Sequence, residues 1–368
     1  MIDEKAEPMR SEAIVNDHGA GADEIRSSSH PNCNLCGTPG ALLYEGLSDR
    51  LFAAPGNWNL KRCRRPECGL LWLDPMPLED DIGKAYKTYF THSDAALLES
   101  SRRPTFYRRL AREIKAAYLA NRFGYGEGAD TQIYSLLALA VYLSPAQRSK
   151  FDIPVRYFVG MDRGRLLDIG CGDGSVLKIA TDCGWDVEGV DFDVQAVKVA
   201  RSKGLKVHSG RLADCNYPTG SFDLILMSHV IEHIHDPLSI LCETRRLLRA
   251  GGLLVLTTPN TAGYAHRYFG SNWVALDPPR HLHIFDIGNL RTMATRAGFS
   301  QNAITTTCRI TASDFTQSRT ISRHGNYDPE LSKSLFGELY GQAAALTEAL
   351  MRIWKPLGAD EILLEARK

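Results

Sequence analysis

Residues 166–174 read Leu-Leu-Asp-Ile-Gly-Cys-Gly-Asp-Gly, and this stretch decides the fold. An apolar, strand-like run ends at Asp168 or Ile169. Glycines then occupy alternate positions (Gly170, Gly172 and Gly174), and a helical pattern begins near Ser175. Glycines at a strand-to-helix turn let the backbone bend sharply and approach a ligand without Cβ interference. The helix N-terminus beyond them offers unpaired N–H groups. Dinucleotide-binding loops prefer G-x-G-x-x-G, with a pyrophosphate on the helix amides. Here the spacing is G-x-G-x-G, with Asp168 before it and Asp173 inside it. Carboxylates there would repel a pyrophosphate and suit a cationic amino-acid ligand. Asp191 stands 21 positions past Gly170, at the end of the next expected strand, where an acid can accept hydrogen bonds from ribose hydroxyls.

Outward from the loop, short β-rich runs alternate with helical stretches, the pattern of a parallel sheet covered by helices. The expected strands are 165–169, 187–190, 206–208, 224–228, 253–258, 303–307 and 361–366. Helices are expected at 176–183, 194–202, 237–248 and 287–297, the last closed by Gly298 as a left-handed cap. The fold class is therefore α/β. The organisation read from texture is a disordered tail over 1–30, a Cys-bearing region over 31–77, a helical insert or lid over 78–161, and the α/β domain over 162–368. Within the first insert, Tyr107, Leu110, Ile114 and Ala117 recur at helical steps. A second insert covers 311–358, largely helical from Pro329 on.

Nine cysteines and no visible export signal argue against a disulfide framework. Cys33-x2-Cys36 and Cys63-x4-Cys68 are spaced so that four thiolates can converge on a tetrahedral site suited to structural Zn²⁺. A region with so little apolar content gains from a metal clip. The remaining five cysteines (171, 183, 215, 242 and 308) read as buried packing. His229, Glu232, His233 and His235 cluster after the fourth strand, at the sheet edge where ligands bind in open α/β folds. His281 and His283 lie in DPPRHLHIF, on a loop expected to fold back over that edge.

Taken together, LLDIGCGDG, VEGVDFD, SFDLILMSHVIEHIHDP, LLRAGGLLVLTTPN and the terminal DEILLEARK resemble, in order, the motifs of class I S-adenosylmethionine-dependent methyltransferases. The resemblance covers much of residues 165–310. It implies a Rossmann-like seven-stranded sheet with a final antiparallel strand. It also implies S-adenosyl-L-methionine as cofactor, held by Asp168, Gly170, Cys171, Gly172 and Gly174 at the methionine moiety and by Asp191 and Phe192 at the ribose end. Leu212 and Ala213 would flank the adenine, and Ser228 and His229 would line the pocket floor. CNLCG and CRRPECGLLWLDPMP resemble the zinc ribbon that precedes the catalytic domain in bacterial methyltransferases of sugars, polysaccharides and secondary metabolites. In the sugar C-methyltransferases of that kind, a stretch like HEHLSYF contributes the base. Pro279 replaces its first histidine here, so His281 carries over. Candidate catalytic residues are thus His281, His233 and His229, because a hydroxyl or carbon-acid acceptor must lose a proton and histidine suits that near neutral pH.

Forty-three basic residues balance forty-three acidic ones, so the basic excess typical of nucleic-acid binders is missing. The apolar stretch 133–143 is far shorter than the ~20 residues needed to cross a bilayer. These features point to a cytoplasmic enzyme acting on a small-molecule, sugar or glycan/lipid-linked acceptor, with nucleic acid disfavoured. For the helical insert the sequence leaves open a lid, a homodimer face, peripheral membrane contact or a plain buried helix. A ribosomal RNA methyltransferase and a non-catalytic S-adenosylmethionine-binding module are the alternative functions.

Overall fold

The computed structural model describes residues 24–87, 106–124 and 132–368. Near its start, Gly40–Leu47 (β1), Trp58–Cys63 (β2) and Leu71–Leu73 (β3) pair antiparallel. In β2, Trp58 and Leu60 are buried while Asn59 and Lys61 are not, as the two-residue period of a half-covered strand requires. Residues 24–30, expected as part of the tail, are structured. Ser27–Ser28 pairs with Met76–Pro77, and Arg26 binds Asp81 through its backbone N–H and its guanidinium. The tail expected over 1–23 lies outside the described residues.

Three helices follow, Phe106–Phe123 (α1), Gln132–Ala138 (α2) and Pro145–Gly160 (α3). The apolar stretch at 133–143 is not a buried helix. Ile133, Leu136, Leu139 and Leu143 are each more than half exposed.

The α/β portion then alternates strands and helices. Arg165–Ile169 (β4), Ser175–Asp182 (α4), Asp186–Asp191 (β5), Val194–Ser202 (α5), Val207–Ser209 (β6) and Phe222–Ser228 (β7) lead to Pro237–Leu247 (α6) and Leu248–Pro259 (β8). Tyr264–Phe269 (α7), His283–Ile284 (β9), Ile287–Arg296 (α8), Gln301–Thr307 (β10), Thr311–His324 (α9), Leu335–Trp354 (α10) and Glu361–Arg367 (β11) complete the chain. The sheet order is β10-β11-β8-β7-β4-β5-β6, with β11 antiparallel to both neighbours and the other pairings parallel. This is the Rossmann-like seven-stranded sheet that the motifs imply.

Local chemistry explains the boundaries. Asp193 and Asp236 cap α5 and α6 by accepting from Gln195 N at 2.8 Å and Ser239 N at 3.0 Å. Asp286 and Asn289 form a reciprocal capping box at the start of α8, and Gly298, at φ +90°, follows its end. Two expectations shift. The fifth strand of the sheet starts at Leu248, which pairs with Phe222 before a bulge to Leu253. The second insert is helical from Thr311, well before Pro329.

Alternate strand residues feed two cores. Leu166, Leu224 and Leu226 pack with Trp185 and Phe158 on one face. Leu167, Ile225 and Met227 face the other side, in a core that runs without a break into Cys33, Leu60, Trp72 and Leu73. The cysteine-bearing region is thus continuous with the sheet's packing. Burying Leu60, Leu71 and Leu73 there stabilises by about 1.5–3 kcal/mol each. β9 carries the join further, pairing His283 with Trp72 and Ile284 with Leu71 at the free edge of β3.

Candidate active site

The glycine loop turns at the carboxyl end of β4. Gly170 and Cys171 both donate their N–H to Val190 O, at 2.8 and 3.3 Å. All three loop glycines have positive φ (+73°, +53° and +74°), which L-residues with a Cβ adopt only with strain. Their surroundings separate them. A Cβ on Gly170 would stand 2.3 Å from Val230 Cγ2, and one on Gly174 would stand 2.4 Å from Leu205 Cδ1. A Cβ on Gly172 would meet nothing within 4 Å. Gly170 and Gly174 are therefore fixed by packing, while Gly172 lines open space.

Asp191, at the end of β5, accepts from Gly172 N and Asp193 N, both at 2.8 Å. Asp168 is buried beside it. Burial, and then the charge of Asp191, push its carboxyl up to about 8. Asp173, the loop's second acid, is already matched. It pairs with Lys203 at 2.7 Å and accepts from Ser175 N at 3.0 Å, so it serves the helix start. Cys171 packs into the core below the loop with Leu177. Phe192 is exposed and meets Tyr86 edge-on at 4.9 Å. Leu212 is buried in a single turn whose Ala213 is exposed, and Asp214 is occupied there by Arg211 N at 3.1 Å.

Across the sheet edge, the ends of β7, β8, β10 and β11 bring four charged groups together. His229 has φ +55°, a backbone state that costs a non-glycine residue about 1–3 kcal/mol. Its Nε2 is 2.8 Å from Glu361 Oε1, and its Nδ1 is 3.2 Å from Glu232 Oε1. Both glutamates are fully buried. Their carboxylates overcome the effect of burial and raise His229 to about 9. Arg309 closes the set, with Nε 2.9 Å from Glu361 Oε2 and Nη2 3.0 Å from Thr257 Oγ1. Ser228 Oγ is 2.9 Å from Thr257 Oγ1. The expectation that His229 acts as a base needs correction: both nitrogens face carboxylates, so the ring keeps its proton.

His233 and His281 differ. Their rings meet edge-to-face at 4.7 Å. His233 Nδ1 donates to Arg280 O at 3.0 Å, and His281 Nδ1 donates to Ala275 O at 2.8 Å. Burial depresses both, His233 to about 4, so both rings are neutral near pH 7 with the lone pair on Nε2. Tyr86 OH, 3.1 Å from His233 Nδ1, also reaches this pair. His283 and His235 are structural. His283 is buried between Ile234 O (3.1 Å) and Asn34 Nδ2 (2.9 Å), and His235 Nε2 meets Pro77 O at 2.8 Å.

The histidine loop is anchored by Arg280, which is fully buried. Its Nη1 and Nη2 each bind Asp49 at 2.8 Å, its Nε binds Asp277 Oδ2 at 3.0 Å, and Nη1 also binds Ala85 O at 3.0 Å. Sequence reasoning missed Tyr86, Arg309, Glu361 and this Asp49–Arg280 clamp. The one available signal was the charged pair Asp277 and Arg280 in the loop that carries His281 and His283.

The four N-terminal cysteines converge, with every sulfur within 4.8 Å of the others. Cys33 Sγ is 3.6 Å from Cys68 Sγ, and Cys36 Sγ is 3.4 Å from Cys63 Sγ. Each pair includes a tight turn. Gly37 N donates to Cys33 O at 2.8 Å and Gly69 N to Arg65 O at 3.1 Å, both glycines having positive φ. Asn289 of α8 donates to Cys68 O at 3.1 Å, fastening this centre to the catalytic side.

This chain is similar to known methyltransferases. A family model described as a methyltransferase domain matches residues 142–302, taking in α3 and ending before β11. A ubiquinone biosynthesis O-methyltransferase of Xanthomonas oryzae pv. oryzae (strain PXO99A) is 31% identical over 181 residues, covering 46% of this chain and 70% of that protein. The protein of the same name from Cereibacter sphaeroides (strain ATCC 17025 / ATH 2.4.3) is 32% identical over 150 residues, covering 39% and 61%. A solved methyltransferase structure from Archaeoglobus fulgidus overlays 64% of this chain and 100% of its own, with 20% identity and a TM-score of 0.41. The Xanthomonas match, with the glycine loop and strand order described above, shows that this chain belongs to the class I S-adenosylmethionine-dependent methyltransferases.

Proposed function

We propose that this enzyme methylates a hydroxyl group of a small molecule, and that residues 33–68 hold a structural zinc ion. The observation that carries the reading is the pairing of two edges. Gly172 lines open space beside the buried carboxylates of Asp168 and Asp191, and a neutral His233–His281 pair lies beyond β7. The relatives' printed name, O-methyltransferase, favours oxygen as the acceptor atom.

The residues fit the cofactor's chemistry. S-adenosylmethionine, when bound, supplies a methyl group on a cationic sulfonium, open to in-line displacement. Asp168 and Asp191 would set negative potential toward the cofactor's cationic sulfonium and ammonium, and a cation there would offset the burial that holds Asp168 up at about 8. Asp191, oriented by Gly172 N and Asp193 N, presents its remaining acceptor capacity to ribose hydroxyls. Gly170 and Gly174 shape the loop, with Cys171 packed beneath it, while Phe192, Leu212, Ala213, Ser228 and His229 border the space. His229, Glu361 and Arg309 fix the floor as a rigid ion-paired set. Glu232, His233 and His281 activate the acceptor hydroxyl, whose proton passes to solvent as its oxygen attacks the methyl carbon and the carbon–sulfur pair departs with sulfur.

The cysteine spacing fits zinc. Four thiolates about 2.3 Å from Zn²⁺ stand about 3.8 Å apart at the corners of a tetrahedron. The paired sulfurs here are at 3.4 and 3.6 Å, far longer than a disulfide bond.

Calorimetric titration of S-adenosylmethionine and its demethylated product into zinc-replete protein tests the reading, beside Asp191→Ala. Saturable binding that the variant loses is expected, followed by methyl transfer in a screen of phenolic and aliphatic hydroxyl acceptors. Absence of binding to the wild type would overturn it.

A further inference from the structure

We infer that Glu232, His233 and His281 form a second metal site, distinct from the cysteine centre, that takes a divalent first-row transition ion and presents it to the acceptor hydroxyl. The inference rests on the small-molecule reading above, and it names the means by which these residues activate the acceptor.

One nitrogen from each histidine and one carboxylate oxygen of Glu232 lie within 4.8 Å of one another. The tautomers are set by the backbone. Each Nδ1 donates to a carbonyl, Arg280 O for His233 and Ala275 O for His281, which puts the lone pair on each Nε2; that of His281 stands 3.9 Å from Asp277 Oδ2, beyond hydrogen-bond distance. Metal-bound histidines show the same second-shell arrangement, because a carbonyl acceptor fixes the ring and raises the donor strength of the other nitrogen. Tyr86 OH, 3.1 Å from His233 Nδ1, shares that N–H with Arg280 O as a second acceptor.

The third donor is an independent observation. Glu232 is fully buried, and its Oε2 accepts from Thr258 Oγ1 at 2.9 Å. Its Oε1, also buried, accepts no hydrogen bond of good geometry and has the ion pair with His229 Nδ1, at 3.2 Å, as its contact. Two imidazoles and one carboxylate are the donor set of open catalytic zinc sites, in which a fourth position stays free for water or substrate. Among the described residues, this cluster and the cysteine quartet are the two groups whose donor atoms converge so closely. An acceptor hydroxyl in the fourth position would lose its proton to solvent at neutral pH, because a bound cation lowers the pKa of a coordinated O–H. The oxygen's electron pair then forms the new bond to the methyl carbon as the sulfonium carbon–sulfur pair departs with sulfur.

The test uses the full chain, stripped of metal and titrated with Co²⁺ alone. Two equivalents should bind. One gives the thiolate-to-cobalt charge-transfer band of a cysteine site. The other gives no thiolate band but shows paramagnetically shifted, exchangeable imidazole N–H signals from two histidines, which a site of four cysteines cannot produce. His281→Gln and Glu232→Gln should weaken the second equivalent by more than about 100-fold while calorimetry still detects S-adenosylmethionine. A single equivalent with no shifted imidazole signal in the wild type overturns the inference, whatever the variants do, and leaves an ordered water as the occupant. Methyl transfer that proceeds unchanged under chelation, with cofactor binding intact, would likewise refute the metal while sparing the methyltransferase reading. Loss of cofactor binding in the wild type would strike that reading instead.

Discussion

Replacing Arg280 with methionine should cost the protein several degrees of thermal stability, because it leaves Asp49 buried without its partner. The Arg280–Asp49 pair is doubly hydrogen-bonded, and both side chains are inaccessible to solvent. Arg280 holds Asp49 below the usual carboxylate range against the effect of burial, whereas burial raises Asp277; Asp49 is therefore the firmly ionised partner. Asp49 also accepts from Leu51 N, Phe52 N and Ala54 N, so it cannot turn away to find water. Removing one member of such a pair costs about 3–5 kcal/mol. Unfolding entropy of about 2.1 cal/mol/K per residue, taken over the 368 residues, is roughly 0.8 kcal/mol/K. The expected fall in Tm is then about 4–6 °C if the chain unfolds as one unit, which the unbroken core between the cysteine region and the sheet favours. Differential scanning calorimetry of Arg280→Met, Asp49→Asn and the double variant measures it. The double variant should recover at least half the loss, since no unpaired charge then remains at Asp49. A single variant within about 1 °C of wild type, or a double variant that recovers nothing, would refute the assignment of this pair as the clamp between the two regions.

Four other outcomes follow from the site. Gly172→Ala should cost only about 1–2 kcal/mol, from its positive φ, yet weaken S-adenosylmethionine at least tenfold by calorimetry. Gly170→Ala, which drives a Cβ into Val230, should lose more stability than Gly172→Ala in a parallel melt. Because folded Asp168 keeps its proton up to about 8 and the unfolded chain releases it near 4, the folded state binds more protons across that window, and ligand-free stability falls as pH rises through it. Melts at pH 5, 7 and 9 should show that decline, with Asp168→Asn flattening it. Removing the cysteine centre alone, with Cys36→Ser and Cys63→Ser, should abolish turnover while leaving far-UV circular dichroism of the main sheet largely intact, because α8 and β9 are fastened to that centre.

The sequence made the local elements visible and left the long-range ones dark. The glycine loop, the alternation of Leu166 and Leu167 between the two cores, and the caps of α5 and α8 are set by neighbours within a few positions, so period and turn chemistry reveal them. The histidines were visible as residue types, but their roles were not. His229 is a cation because Glu361, at the far end of the chain, packs against it, and His233 is neutral because burial outweighs Glu232. No local pattern encodes such pairings. The exposure of 133–143 was similarly hidden, because an apolar run reads the same whether or not a partner covers it.

The strand bond between His283 and Trp72 sets a timetable for biosynthesis. The cysteine region leaves the ribosome first, yet its sheet lacks an outer strand until some two hundred further residues have been made. At ordinary elongation rates that interval is about 10–40 s. Throughout it, the edge of β3 and four thiols stand open to strand pairing with other nascent chains and to oxidation. Early metal capture would shield the thiols, and the edge would wait for β9, so the completed fold registers that translation has reached the histidine loop.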